Sequence, residues 1–176
     1  VRERRIDPWR HRGSDVEAAR RVLAARPDVL ADRIGLLGWS HGGSTVLAAV
    51  DVKARHVASD GGDFTVAIAF YPGCLVPSRR GNWDARVETL ILMGEDDDWT
   101  PPGPCVAMVD RLSAPARVSI RLYPGAVHGF DGEGTRVITR TGLITPSGSA
   151  KVGPHPEARA DAIGRTLELL KARLAN

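Results

Sequence analysis

The stretch RIGLLGWSHGGS, residues 33–44, decides how the rest of the chain is read. An apolar run from Ile34 to Leu37 meets Gly38, and Ser40 then stands between that glycine and the pair Gly42, Gly43. A plain turn needs one glycine, and a buried strand needs no serine at its tip. The order Gly38, Trp39, Ser40, His41, Gly42 fits the nucleophile-elbow pattern, in which a strand turns very tightly into a helix and lifts a serine hydroxyl above the sheet. Side chains two positions to either side of that serine would collide with neighbouring backbone, so this reading assigns Gly38 and Gly42 to keeping the space clear. The competing reading is a glycine-rich strand-to-helix turn without chemistry, in a chain that carries 19 glycines.

What flanks the stretch separates the two. A short apolar strand over 33–38 precedes the serine, and HGGSTVLAAVDVKARH restarts a helical pattern after it. That helix aims its N-terminus at the serine, where the backbone N–H of His41 can face a developing oxyanion. Further strands read at FTVAIAFY (64–71), VETLILMG (87–94) and RVSIRLYPG (117–125). Helices read at PPGPCVAMVDRL and from Pro156 to Leu174. Upstream, Ser14 with Glu17 reads as a capping box for a helix that Pro27 ends. Residues 131–154 form a long connection in which TRVITRTGLIT alternates enough for a small hairpin. Strands alternating with helices predict an α/β fold, a mostly parallel sheet with helices on both faces.

Composition bounds the class. The 176 residues are 43% hydrophobic and 26% charged, which is the make-up of a single globular domain spanning 1–176. No apolar run approaches the roughly 20 residues of a membrane span. With 24 basic residues against 21 acidic ones, the net charge of +3 gives no ground for a nucleic-acid partner. The group Arg2, Arg4, Arg5, Arg10, Arg12 reads as a solvated segment.

An elbow serine needs a carboxylate and a histidine at the ends of later strands, in the order Ser, acid, His. GEDDDWTPP follows the third strand and YPGAVHGFD the fourth. Both fall at the carboxyl ends, where open α/β sheets place their sites.

With these residues the sequence resembles the dienelactone hydrolase family of α/β-hydrolases. GWSHGG, GEDDDWTP and HGF carry the resemblance, which extends over roughly residues 14–174. It implies a serine hydrolase of carboxylic esters or lactones, working through an acyl-enzyme without cofactor. The family's acid stands three residues after the strand-ending glycine and four before a proline, which gives Asp97 counted from Gly94 and from Pro101. Asp96 and Asp98 remain the alternatives, as solvated or capping carboxylates. His128 is the implied base. The namesake enzymes use cysteine where this chain has Ser40, and a hydroxyl needs a general base that a thiolate does not. Dienelactone itself is therefore in doubt as the substrate.

Trp39, Tyr71 and Trp99 each follow a strand end, so each can line a substrate pocket or simply pack. His11, His56 and His155 carry no recognisable spacing. The run Glu95 to Asp98 lacks the alternating ligands and glycine of a calcium loop, so no metal is expected. Two other functions stay open: a prolyl-oligopeptidase-like serine peptidase, and a remnant of the α/β-hydrolase fold that has lost activity. Cys74 and Cys105 fall near the same end of neighbouring strands, where they form either a bridge or two separate thiols. A bridge would favour a periplasmic or secreted enzyme over a cytoplasmic one. Finally, nothing before residue 33 reads as a strand. The expectation is an N-terminally truncated domain whose elbow strand is a sheet edge and whose second oxyanion donor is missing.

Overall fold

The computed structural model describes residues 6–54, 62–112 and 115–175. Arg2, Arg4, Arg5 and His56 lie outside these residues, as does the end of the helical pattern that runs to His56. The elements run α1 (Gly13–Ala24), β1 (Gly35–Trp39), α2 (His41–Ala49), β2 (Val66–Phe70), α3 (Leu75–Arg80), β3 (Glu88–Gly94), α4 (Gly103–Val109), β4 (Val118–Tyr123), β5 (Ile138–Thr141), β6 (Ser149–Val152) and α5 (Pro156–Leu174). A π-helical turn, Pro8–Arg12, leads into α1. The chain has the α/β-hydrolase arrangement: β1 to β4 form one parallel sheet in sequence order, and helices connect and cover it.

Parallel pairing with helical crossovers explains the apolar strands. β2 and β3 are the inner strands, and all of β2 and nearly all of β3 is buried. β1 and β4 are the outer ones. β4 alternates, with Ser119 and Arg121 turned outward, and β1 is mostly half-buried. Gly35 and Gly38, three apart on β1, face opposite sides of the sheet. A Cβ on Gly35 would meet Leu170 and Leu174 of α5, whereas one on Gly38 would meet Val46 of α2. The sheet is thus a middle layer between α2 and α5. Among the described residues β1 pairs with β2 alone, as the edge reading anticipates.

Three local expectations need correction. Ser14 does not cap α1, because the helix is continuous with the turn before it and Arg12 stands at the cap position without a side-chain bond. Ser14 Oγ instead donates to the His11 carbonyl, and Asp7 caps the π-helical turn through the N–H groups of Trp9 and Arg10. Glu17, read as the other half of the box, is buried against Arg20 at 2.8 Å. α3 is a helix that the sequence pattern does not signal, because Pro72 and Gly73 interrupt the chain just two residues before its first residue, Leu75. Gly42 does not guard the elbow; a Cβ there meets nothing within 4 Å. Gly43 does, because a Cβ on it would sit 2.7 Å from the Phe70 carbonyl oxygen. The hairpin within 131–154 is present as the antiparallel pair β5–β6. Cys74, at the start of α3, and Cys105, in α4, form a disulfide.

Candidate active site

All four parallel strands end at one pole of the sheet, and the chemistry-bearing side chains gather there. Ser40 takes φ 52° and ψ −115°, a strained conformation between β1 and α2. The turn is held by Ser40 N–H donating to the Phe70 carbonyl, and by Ser44 N–H donating to the Ser40 carbonyl. A Cβ on Gly38 would lie 2.5 Å from the Gly42 carbonyl oxygen, so only glycine fits there.

The loop after β3 carries Asp97, which is 2% exposed. Its Oδ1 accepts the backbone N–H groups of Trp99 and Thr100, which folds the loop around the carboxylate. Asp96 and Asp98 are exposed, and Asp98 accepts the Lys151 N–H instead. The loop after β4 brings His128, 4% exposed, between Asp97 and Ser40. Nδ1 lies 2.8 Å from Asp97 Oδ2, and Nε2 lies 2.9 Å from Ser40 Oγ. In the tautomer that satisfies both contacts, Nδ1–H donates to Asp97 and Nε2 accepts the serine proton. Such a line can pass a proton from Ser40 to His128 while Asp97 holds the ring.

His41 begins α2 and lines a cleft of about 260 Å³ with Trp9, Gly73, Leu75 and Val76. Trp99 and Tyr71 flank the imidazole, with ring centroids 4.7 and 4.6 Å from it. Trp39 remains 45% exposed beside the elbow and stacks on Phe70. Tyr71 also takes a positive φ, 36°. Burial and the Asp131 carboxylate push its phenol far above the ordinary tyrosine range, so it remains a neutral donor. Two participants escaped the sequence reading. Thr100 places its hydroxyl 2.9 Å from Asp97 Oδ2, and Asp131 accepts from both Tyr71 and Trp39. Their signals were spacing alone, three residues after the acid and three after the histidine. Among the described residues no group of His, Cys, Asp and Glu is arranged to hold a metal ion. No described helix is long and apolar enough to cross a membrane.

The profile of the dienelactone hydrolase family matches residues 7–174, nearly the whole chain. The chain belongs to the dienelactone hydrolase family. Solved structures share its fold at low identity. A dienelactone hydrolase-like promiscuous phosphotriesterase from metagenomic libraries superposes with a TM-score of 0.63 at 20% identity, over 93% of this chain and 62% of that one. A dienelactone hydrolase described as putative, from Klebsiella pneumoniae, gives 0.60 at 19%, over 92% and 59%. Dipeptidyl peptidase 4 of Porphyromonas gingivalis gives 0.65 at 17%, over 96% of this chain but only 23% of that one. This family member therefore spans less than two thirds of each of these structures. No curated protein matches the sequence.

Proposed function

We propose that this chain carries the catalytic machinery of a serine hydrolase acting on small carboxylic esters or lactones. Ser40 attacks the carbonyl while His128 Nε2 takes its proton, giving a tetrahedral intermediate whose oxyanion the His41 backbone N–H receives. His128 then protonates the leaving alcohol, an acyl-Ser40 remains, and water repeats the sequence in reverse. Asp97 fixes the tautomer and stabilises the imidazolium. The observation that carries this reading is the unbroken line from Ser40 Oγ through the imidazole to Asp97 Oδ2, built on a strained elbow. The Cys74–Cys105 bridge favours an oxidising compartment, periplasmic or extracellular.

The test is labelling with a fluorophosphonate probe together with aryl-ester turnover. The probe is expected to label the unmodified chain and not Ser40→Ala. Asp97→Asn should lower kcat by about 10⁴, or about 5 kcal/mol of barrier, as in serine proteases. Asp96→Asn and Asp98→Asn should leave it nearly unchanged. A dead Asp98→Asn beside an active Asp97→Asn would overturn the assignment of the acid, and an unlabelled chain would favour the inactive remnant. A peptidase reading draws on the fold shared with the Porphyromonas gingivalis peptidase. Faster turnover of peptide anilides than of aryl esters would favour it.

A further inference from the structure

We propose that Asp131 is a positioning residue whose carboxylate clamps Tyr71 and Trp39 and thereby keeps the His128 ring in register with Ser40. The inference rests on the triad reading above. Asp131 Oδ1 accepts the Tyr71 hydroxyl at 2.7 Å, and Oδ2 accepts the Trp39 indole N–H, also at 2.7 Å. One carboxylate thus joins three separate pieces of the site: the residue before the nucleophile, the residue just after β2, and the loop that carries the histidine.

The loop's other anchors are mostly backbone, and one of them, the Asp96 N–H donating to the Ala126 carbonyl, ties it to the loop that carries Asp97. Gly153 N–H donates to the His128 carbonyl, His155 N–H to the Phe130 carbonyl, and Arg159 Nε to the Asp131 carbonyl. These last three fix the loop against β6 and α5, but none of them spans the site. The Asp131 side chain does span it. Its partner Tyr71 packs its ring against the imidazole, and the Tyr71 carbonyl lies 3.0 Å from the Thr100 hydroxyl beside Asp97. Moving Tyr71 therefore moves the surface on which the imidazole rests. The positive φ at Tyr71 supports this, because a bulky residue keeps such a conformation only where its surroundings over-determine it. The clamp also changes what the two aromatics offer a substrate. Their polar tips are committed to Asp131, so they present ring surface rather than hydrogen-bond donors.

The test uses the full chain and the variants Asp131→Ala, Asp131→Asn and Tyr71→Phe. Readouts are the fluorophosphonate labelling rate, aryl-ester kcat and KM, and the low-field proton resonance of His128 Nδ1–H. Asp131→Ala is expected to slow labelling and kcat by roughly tenfold to a hundredfold with KM within about twofold, because misplacing a reacting group acts on the transition state. Asp131→Asn should recover most of this, since its amide can accept from Trp39 and donate to the Tyr71 oxygen. Tyr71→Phe should lower kcat in the same direction, and adding it to Asp131→Ala should cost nothing further. Labelling of Asp131→Ala at the unmodified rate, or a raised KM at constant kcat, overturns the proposal. If Asp131→Ala does not fold, Tyr71→Phe decides by the same split of kcat from KM. If the unmodified chain is not labelled, the triad reading fails on its own and the His128 resonance decides this one: it must move or vanish in Asp131→Ala.

Discussion

Thr100 Oγ1 lies within 3.1 Å of three polar atoms, the Tyr71 carbonyl, Asp97 Oδ2 and His128 Nδ1, yet carries one proton to give. His128 Nδ1–H is itself a donor, so the proton goes to the Tyr71 carbonyl or to Asp97 Oδ2, and given to the carboxylate it holds the acid in place. A hydrogen bond to a charged group contributes about 1.5–3 kcal/mol. Thr100→Val should therefore lower kcat by roughly tenfold to a hundredfold, and Thr100→Ser should retain most of it; steady-state kinetics on an aryl ester checks both. Asp97 stands out from Asp96 and Asp98 in the sequence only through the family resemblance, whose acid keeps this spacing from the strand-ending glycine and the proline. Thr100 and Asp131 do not stand out. A threonine and an aspartate in loops read as turn formers, and their partners lie 29 and 60 residues away in sequence.

Among the elements, the β1–α2 elbow shows how far a glycine pattern can be read. The motif marks the turn but not which glycine is crowded, because part of the crowding comes from β2, a strand remote in sequence. Gly43→Ala drives a Cβ to 2.7 Å from the Phe70 carbonyl oxygen and should cost about 1–3 kcal/mol. Gly42→Ala enters open space at the start of α2 and should be neutral or stabilise by up to about 1 kcal/mol. Denaturant midpoints of the two variants check the contrast. Equal losses would mean that the elbow is looser than the contact implies. α5 was legible to its ends because a proline opens it and its amphipathic period runs unbroken over 19 residues. α1 was legible as a helix but not in its start, since nothing local in Ser14 reveals the turn of helix ahead of it.

For the molecule as a whole, the parallel sheet was legible from apolar strands alternating with helices, and the disulfide was open because sequence places two cysteines near one pole without their separation. The bridge closes a segment of 31 residues that contains α3 and β3. By loop-closure entropy it should stabilise the fold by about 3–4 kcal/mol. The Cys74→Ser, Cys105→Ser double variant should lose that amount in urea unfolding, and a reducing agent should destabilise the unmodified chain alike. An unchanged midpoint would deny the bridge its structural role. The parallel sheet has a further consequence, for where the chain tolerates a change of length. Every side chain of the candidate site stands at or beyond the carboxyl end of its strand, and the connections entering the amino ends contribute none. The exposed segment from Pro27 to Asp32 is one such connection. Doubling a flexible loop costs only about 0.6 kcal/mol, so extra residues there would leave the chemistry where it is. The same insertion between Tyr123 and His128 would carry the imidazole away from both its partners. One pole of the molecule is free to drift in length, and the other is held to a single count of residues.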